Sequence, residues 1–130
     1  MSFLLLDSYL LLWAALDDPK LSAEARELIE DPTNALAFSA ASIWELAIKH
    51  RVRPEEGRVE PRRLRQQLRQ AGYQELPITS EHGLAVMRLP LLHRDPFDRM
   101  LLAQAAAEGA ILLTADARLA RYRGPVRLVA

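Results

Sequence analysis

The stretch LLLDSYLLLW, residues 4–13, decides the fold because it joins an apolar run to a single carboxylate. Asp7 is the only charged residue between Met1 and Asp17. A continuous apolar run is typical of a central parallel strand that is covered on both faces, and residues 3–6 fit that pattern. The residues that follow predict a helix over 8–16. We therefore expect Asp7 at the carboxyl end of a buried strand.

Outward from this stretch, short apolar strands alternate with helices along the chain. This alternation predicts one α/β domain over residues 1–130, with helices on both faces of a mostly parallel sheet. Ser22 is the expected N-cap of the second helix, and Gly72 is expected to end the fourth. Further strands are predicted over 35–38, 74–78, 110–113 and 126–129. Helices are predicted over 21–30, from Ser39 or Ser42 to Arg51, over 61–71 and 80–89, and from Asp95-Pro96 to Gly109, with a helical turn at 116–121 and a loop at 53–60. On the third helix, the residues expected to face inward are Ile43, Trp44, Leu46 and Ala47.

The composition limits the functions that this chain can have. It has 130 residues, half of them hydrophobic, and no cysteine, so a disulfide framework and a thiolate metal site are excluded. Its 17 basic and 17 acidic residues balance, which argues against a non-specific coat for nucleic acid. Basic residues nevertheless cluster between Lys49 and Arg69, either as a phosphate-attracting patch or as a solvated helix face. With no signal peptide and no apolar run near the ~20 residues of a membrane span, we expect a cytoplasmic protein with no membrane partner.

Four acids lie near the predicted strand ends. Asp7 follows the first predicted strand, and Glu45 lies in the helix after the second strand. Asp98 lies in the first turn of the helix before the fourth strand, and Asp116 follows the fourth strand. Ligands of open parallel sheets bind beyond the carboxyl ends of the strands. Carboxylates about 6 Å apart repel by roughly 3 kcal/mol per pair at an effective dielectric of ~20, so such a cluster must take up protons or cations. Oxygen ligands favour Mg²⁺ or Mn²⁺, and these ions suit phosphodiester cleavage.

Each of these acids also has a structural interpretation, which the sequence leaves open. Asp7 and Asp116 are placed to cap the helical segments that follow them. Glu45 is placed to complete a capping box with Ser42 or to pair with Lys49. Asp98 would lie in the first turn of a helix capped by the preceding Asp95-Pro96, where its charge favours the helix dipole.

Four sequence blocks, taken together, resemble the PIN-domain ribonucleases, and most closely the VapC toxins of bacterial toxin–antitoxin pairs. The resemblance covers residues 3–128. It implies a three-layer α/β/α sandwich around a short, mostly parallel central sheet, and a metal-dependent endoribonuclease that uses Mg²⁺ or Mn²⁺. The blocks are LLLDSYLLLW, SAASIWELAIKH, LHRDPFDRMLLAQAAAEG and ILLTAD.

The resemblance also implies roles for individual residues. The family's four acids correspond to the catalytic and metal-binding candidates Asp7, Glu45, Asp98 and Asp116. In the mechanism that we hypothesise, the first three hold one ion, Asp116 joins directly or through water, and metal-activated water attacks the phosphate. No histidine base is required, and we expect His93 and His50 to be structural. The candidates for substrate contact are Ser8, Thr114, Arg99, Lys49, Arg94 and Arg51, although Arg99 is equally placed to pair with a carboxylate.

The partners implied by the resemblance are RNA, a second copy of the chain and a VapB-like antitoxin that lays a segment across the active-site groove. Leu10, Leu11 and Trp13 are candidates for an apolar groove wall, with packing against the sheet as the alternative. The rival interpretation is a catalytically inactive PIN-fold module that binds RNA or protein. A phosphatase that pairs two acids after its first strand is disfavoured, because Tyr9 occupies the position of the second acid.

Overall fold

Two parts of the chain, residues 1–53 and 59–129, are described by the structure, a computed structural model. Most of the predicted loop 53–60 therefore lies outside the described residues, as does Arg58 of the basic stretch. Within the described parts, five strands and six helices alternate. The strands are β1 (Phe3–Leu6), β2 (Ala35–Ser39), β3 (Gln74–Leu76), β4 (Ile111–Thr114) and β5 (Val126–Leu128). The helices are α1 (Ser8–Leu16), α2 (Ala23–Glu30), α3 (Ala40–Val52), α4 (Pro61–Gln70), α5 (Ser80–Ala85) and α6 (Pro96–Glu108).

The five strands form one parallel sheet in the order β3-β2-β1-β4-β5. In the middle of the sheet, Leu5 of β1 is in register with Ala37 of β2 and Leu112 of β4. The chain builds outward from β1 through β2 and β3, then returns to add β4 and β5 on the other side. The strand order thus reverses between β1 and β4, where ligands of such sheets bind. The predicted three-layer α/β/α architecture with a parallel sheet is confirmed.

Successive side chains of β1 point to opposite faces of the sheet and enter two different cores. Leu4 and Leu6 pack with α1, α2 and α4 on one face. Leu5 packs on the other face with α6 and the segment after β4. All three side chains are buried, which explains why the strand reads as an unbroken apolar run.

Helix ends follow the predicted signals at several places. The Ser22 side chain accepts a hydrogen bond from the Ala25 amide (3.1 Å) and caps α2. Gly109 ends α6 with a positive φ of 68°, a conformation that costs glycine little. Gly72, with φ of 93°, follows α4 as predicted.

Three predicted elements are shorter in the structure than in the sequence analysis. The helix predicted over 80–89 ends at Ala85 and continues as a 3₁₀ turn over Val86–Arg88. Leu89 is already extended, as a residue before proline prefers. The strand predicted over 74–78 ends just before Pro77, which has no amide hydrogen to donate. The turn predicted over 116–121 narrows to a 3₁₀ helix at Leu119–Arg121.

The inward face predicted for α3 is partly wrong. Ile43 and Leu46 pack against the core, as expected. Trp44 is 59% exposed and contacts the Phe97 ring edge-on, with ring centroids 5.2 Å apart, and Ala47 is also exposed. Hydrophobicity alone does not predict the buried face of α3, because polar residues form part of it. The buried residues of this helix are Ala41, Ser42 and Glu45.

Candidate active site

The candidate site lies at the carboxyl edge of the sheet, where β1 and β4 are neighbours. Asp7 directly follows β1, and its backbone amide donates to the carbonyl of Leu113 in β4 (3.1 Å). Thr114 is the last residue of β4, and Asp116 comes two residues later. Parallel pairing of the two strands therefore brings these three residues to one edge, as the sequence predicts for the two acids.

Asp7 is both a helix cap and a buried carboxylate. Its Oδ1 accepts from the Leu10 amide (2.9 Å) and caps α1, so the capping interpretation is confirmed. Its Oδ2 accepts from the hydroxyl of Thr114 (2.6 Å). Only 4% of the residue is exposed. Burial raises the pKa of Asp7 to about 6, because the charged form loses its hydration, and the charges of Asp98 and Asp116 raise it further.

The hydroxyl of Thr114 connects Asp7 with Asp116. Besides donating to Asp7, it accepts from the Asp116 amide (3.0 Å). The Asp116 carboxylate in turn accepts from the Arg118 amide (2.9 Å) and pairs with the Arg118 guanidinium (3.0 and 3.2 Å). These bonds to Arg118 hold the pKa of Asp116 below its usual value. The Asp116 carboxylate thus holds the turn before the 3₁₀ helix, but that helix begins after Arg118 and has no side-chain cap, so the predicted capping role of Asp116 is not confirmed.

Glu45 is held on both carboxylate oxygens by other side chains. Its Oε1 accepts from the Ser8 hydroxyl (2.7 Å) and its Oε2 from the Lys49 ammonium (2.9 Å). The N-cap of α3 is Ser39, so the predicted capping box of Ser42 and Glu45 is wrong. The predicted i,i+4 pair with Lys49 is confirmed. Glu45 is therefore a buried carboxylate placed by tertiary contacts and is not a helix cap.

Asp98 lies in the first turn of α6, three residues after the cap residue Asp95. Asp95 caps the helix as predicted and accepts from the amides of Phe97 (2.8 Å) and Asp98 (3.3 Å). Oδ2 of Asp98 lies 2.8 Å from Nε2 of His93. Burial raises the pKa of Asp98, and the charges of Asp95 and Glu45 add to this, while the hydrogen bond to His93 opposes it.

His93, which the sequence analysis expected to be structural, lies at the candidate site. It is 8% exposed and lies in the loop that leads into α6. One ligand atom each from His93, Asp98 and Asp116 lie within 4.8 Å of one another. The signal in the sequence was its position two residues before the cap of the helix that carries Asp98. A single histidine near a motif is too common for that signal to decide.

The four predicted acids do not all approach equally closely. Asp98 and Asp116 come within ligand distance of one another, together with His93. Asp7 is within electrostatic range of both acids, and Asp98 is within range of Glu45. The donor set is mainly carboxylate oxygen in a partly dehydrated setting, where like charges raise one another's pKa. Hard divalent cations such as Mg²⁺ and Mn²⁺ fit this chemistry.

The predicted substrate-contact residues have varied surroundings. Ser8 is buried and bonded to Glu45, and Lys49 pairs with Glu45 while its ammonium lies 5.1 Å from the centre of the Tyr9 ring. Arg94 is exposed beside His93. The Arg99 guanidinium does not pair with a carboxylate among the described residues. It donates instead to the Tyr122 hydroxyl and to the backbone carbonyls of Val86, Leu89 and Pro90.

An apolar groove of about 560 Å³ runs between α1 and α3 and ends next to the site. Lys49 lines the groove and also binds Glu45, so groove and carboxylates are contiguous. Trp13 lines it as predicted. Leu10 and Leu11 are fully buried in the core, so the prediction that they form a groove wall is wrong. The apolar lining is completed by Leu12, Leu16, Leu46, Ile48, Val52 and Val59.

Comparisons with known proteins agree with this geometry. The PIN domain family model matches residues 4–125. Similar solved structures include VapBC2 from Rickettsia felis bound to a DNA fragment from its promoter, which is 16% identical with a TM-score of 0.70 over 97% of this chain and 98% of that chain. A toxin–antitoxin complex from Klebsiella pneumoniae is 17% identical with a TM-score of 0.66 over 95% and 94%. VapBC-1 from nontypeable Haemophilus influenzae is 16% identical with a TM-score of 0.62 over 97% of both chains. At these identities the likeness is one of fold, and the chain has no match among curated protein sequences.

The helices were also compared with the length of a membrane span. None of the helices in residues 1–53 and 59–129 is both long enough and apolar enough to cross a bilayer.

Proposed function

The chain belongs to the PIN domain family, and from this premise we propose that it is a VapC-like endoribonuclease that requires Mg²⁺ or Mn²⁺. The observation that carries the proposal is the buried Asp7 carboxylate at the switch point of the sheet, within electrostatic range of Asp98 and Asp116. Holding several carboxylates together in a partly dehydrated site costs free energy. A divalent cation bound by these carboxylates offsets that cost, so a metal site accounts for the arrangement.

In this proposal, the chain's own residues bind and orient the reacting groups. Asp7, Glu45 and Asp98 would hold the ion, and Asp116 would join them directly or through water. When bound, Mg²⁺ or Mn²⁺ lowers the pKa of a coordinated water and stabilises charge on the leaving oxygen. Thr114 fixes the Asp7 carboxylate, and Ser8 fixes that of Glu45. Arg94, the exposed residue that follows His93 in the chain, is the proposed contact for a substrate phosphate.

The test is cleavage of labelled total RNA by the purified protein with Mn²⁺ or Mg²⁺. We expect cleavage by the wild type and a loss of at least a hundredfold in Asp7→Asn, in Asp98→Asn and in EDTA. Arg26→Ala is the matched control, because Arg26 pairs with Asp17 at the far end of α1, and it should cleave as the wild type does. Cleavage that survives in EDTA or in Asp7→Asn would contradict the proposal.

The alternative function is a PIN-fold module that binds RNA or protein without cutting. One feature favours it: Lys49 and Arg118 already neutralise Glu45 and Asp116 without any metal ion. The two functions differ in metal binding. If calorimetry detects no Mn²⁺ binding to folded wild-type protein that cleaves no RNA, the binding module is the correct assignment.

A VapB-like antitoxin is the protein partner that we propose for the apolar groove. The similar solved structures are VapBC proteins and a toxin–antitoxin complex. The groove lining is mostly apolar, and Lys20 adds positive charge. Among the described residues, the buried Nδ1 of His50 in this groove has no hydrogen-bond partner. These features suit an amphipathic acidic segment that covers the groove next to the site.

We further propose that the chain forms a homodimer through a second apolar surface. This dimer surface is defined by Leu84, Met87 and Leu91, on α5 and the segment that follows it. All three side chains are well exposed, Met87 by 81%. Contiguous exposed apolar patches mark interaction sites in many proteins. None of these residues lines the groove, so the two proposed surfaces are made of different residues.

A further inference from the structure

One buried phenol joins the three chain segments that meet at the site. The Tyr122 hydroxyl accepts from the backbone amide of His93 (3.0 Å) and donates to the His93 carbonyl (3.4 Å). It also accepts from the Arg99 guanidinium (2.9 Å). Tyr122 follows Asp116 on the connection from β4 to β5, whereas Arg99 follows Asp98 on α6. The three segments that it links are therefore those that carry His93, Asp98 and Asp116.

Arg99 secures the same loop from the side of the helix. Its guanidinium donates to the carbonyls of Pro90 (2.9 Å), Leu89 (3.3 Å) and Val86 (3.3 Å) as well as to Tyr122. These three hydrogen bonds to backbone carbonyls fix the path of the loop that leads to His93. The planar fork of arginine suits such multiple donation, which a lysine cannot reproduce.

His93, whose backbone is fixed in this way, in turn holds a carboxylate with its side chain. With its backbone held on both sides by Tyr122, its Nε2 lies 2.8 Å from Oδ2 of Asp98. A carboxylate in the first turn of a helix can rotate about its side-chain bonds, and a fixed hydrogen bond to one oxygen removes that freedom. Groups that hold metal ligands in this way typically contribute ten- to a hundredfold in metal affinity.

We propose that Tyr122, Arg99 and His93 form a positioning relay that fixes the Asp98 carboxylate for a divalent metal ion. The relay rests on the proposed function, because it acts through Asp98 on the metal. In residues 1–53 and 59–129, the hydrogen bonds of the Tyr122 hydroxyl are to His93 and Arg99 and not to a carboxylate. Arg99 is thus a positioning residue, in contrast to the substrate contact predicted from the sequence.

Tyr122→Phe tests the relay, because it removes the hydroxyl and keeps the ring. Tyr73→Phe is the matched control. Tyr73 is also a buried tyrosine, but it packs in the core on the opposite face of the sheet. We expect the affinity for Mn²⁺, measured by calorimetry on protein stripped with EDTA, to fall ten- to a hundredfold in Tyr122→Phe and to stay unchanged in Tyr73→Phe. In RNA cleavage, Tyr122→Phe should lower kcat and leave KM within about twofold, because the substrate surface is unaltered.

A second pair of variants keeps the test valid if Tyr122→Phe fails to fold. His93→Ala should weaken Mn²⁺ binding by the same ten- to hundredfold, and His93→Gln, whose amide can donate to Asp98, should recover most of it. Wild-type affinity in folded Tyr122→Phe, or equal losses in His93→Ala and His93→Gln, would overturn the relay alone. Absence of Mn²⁺ binding by the wild type would overturn the proposed function and the relay with it.

Discussion

At the scale of single residues, the site is built from side chains that serve the fold and the chemistry at once. Asp7 caps α1 through one oxygen and accepts from Thr114 through the other. Each carboxylate oxygen has two lone pairs, so both oxygens keep capacity for a cation. The two interpretations that the sequence left open for Asp7 are therefore compatible. The free-energy cost of burying this charge is the clearest consequence that can be measured.

Asp7→Asn should stabilise the metal-free protein at neutral pH. The pKa of Asp7 is raised from 3.8 to about 6 in the fold, so the folded state binds this proton more tightly than the unfolded chain does. Stability from this group is full below pH 4 and is lost as the pH rises through about 6. The loss amounts to about 3 kcal/mol at 1.36 kcal/mol per pKa unit. Urea unfolding in EDTA should show Asp7→Asn gaining on the wild type by up to this amount between pH 4 and pH 7.

The control for this pH effect is an acid whose pKa shifts the other way. Hydrogen bonds from Thr33 hold the pKa of Asp31 below its usual value. Asp31→Asn should therefore lose stability relative to the wild type as the pH rises through the range where Asp31 ionises. If the unfolding free energies of Asp7→Asn and the wild type depended on pH in the same way, burial would not raise the pKa of Asp7, and the prediction would be wrong.

Thr114→Val should weaken metal binding without changing side-chain volume. The valine lacks the hydroxyl that donates to Asp7 and accepts from the Asp116 amide. We expect Mn²⁺ affinity to fall ten- to a hundredfold, as is typical when the groups that hold metal ligands are removed. Thr114→Ser keeps the hydroxyl and should bind Mn²⁺ close to the wild-type level. Equal affinities for the valine and serine variants would rule out a role for this hydroxyl.

At the scale of secondary-structure elements, the start of α6 assigns different tasks to two acids within one turn. The Asp95 carboxylate accepts hydrogen bonds from the backbone amides of Phe97 and Asp98. Asp98 turns instead toward His93 and Asp116. Pro96 between them fits the first helical position, where a missing amide hydrogen costs nothing. In the first turn of α6, the Asp98 carboxylate thus faces the site, whereas the Asp95 carboxylate caps the helix.

Substitutions in this turn should separate the two tasks. Asp95→Asn keeps a capping oxygen and should retain RNA cleavage and stability, whereas Asp95→Ala should lose about 1 kcal/mol of unfolding free energy, the usual value of an N-cap. Asp98→Asn should retain stability and lose cleavage. Urea unfolding and an RNA cleavage assay measure the two effects. If Asp95→Asn abolished cleavage while Asp98→Asn did not, the assignment of the metal ligand would have to be reversed.

At the scale of the whole molecule, the two apolar surfaces have different neighbours. The groove between α1 and α3 reaches the carboxylates through Lys49. The dimer surface lies on α5 and the segment that Arg99 holds in place. A partner in the groove therefore bears directly on the site, whereas a second copy on the dimer surface meets the segment that leads to His93.

Charged substitutions should remove one partner at a time. Met87→Glu on the dimer surface should shift the protein from dimer to monomer in size-exclusion chromatography and leave antitoxin binding intact. Val52→Glu in the groove should weaken binding of a VapB-like antitoxin at least tenfold, measured by calorimetry, and leave the dimer intact. Burying an unpaired charge costs several kcal/mol, which exceeds what one contact contributes. A wild-type monomer at micromolar concentration, or an effect of Met87→Glu on antitoxin binding alone, would contradict the assignment of surfaces.

The architecture could be predicted because local patterns carry it. The apolar run before Asp7 indicates a strand covered on both faces, and the alternation of elements indicates a parallel sheet. Caps at Ser22 and Asp95 and the stop at Gly109 follow from hydrogen bonding within a few residues. Element lengths were less accurate, since α5 and β3 end early near prolines whose effect depends on the surrounding path of the chain. The burial of α3 was misjudged because Glu45 and Ser42, not Trp44, take its inner side.

What the sequence by itself determined is the fold and the identity of the acids that cluster at the strand ends; their roles in catalysis stay a prediction. Tertiary structure alone decided the contacts that these acids make with other elements. The bonds from Ser8 to Glu45, from Thr114 to Asp7 and from His93 to Asp98 join residues on different elements. Tyr122, which lies outside the four sequence blocks, holds His93 in place. Such contacts depend on how elements pack in three dimensions, whereas periodicity and capping depend only on neighbours along the chain.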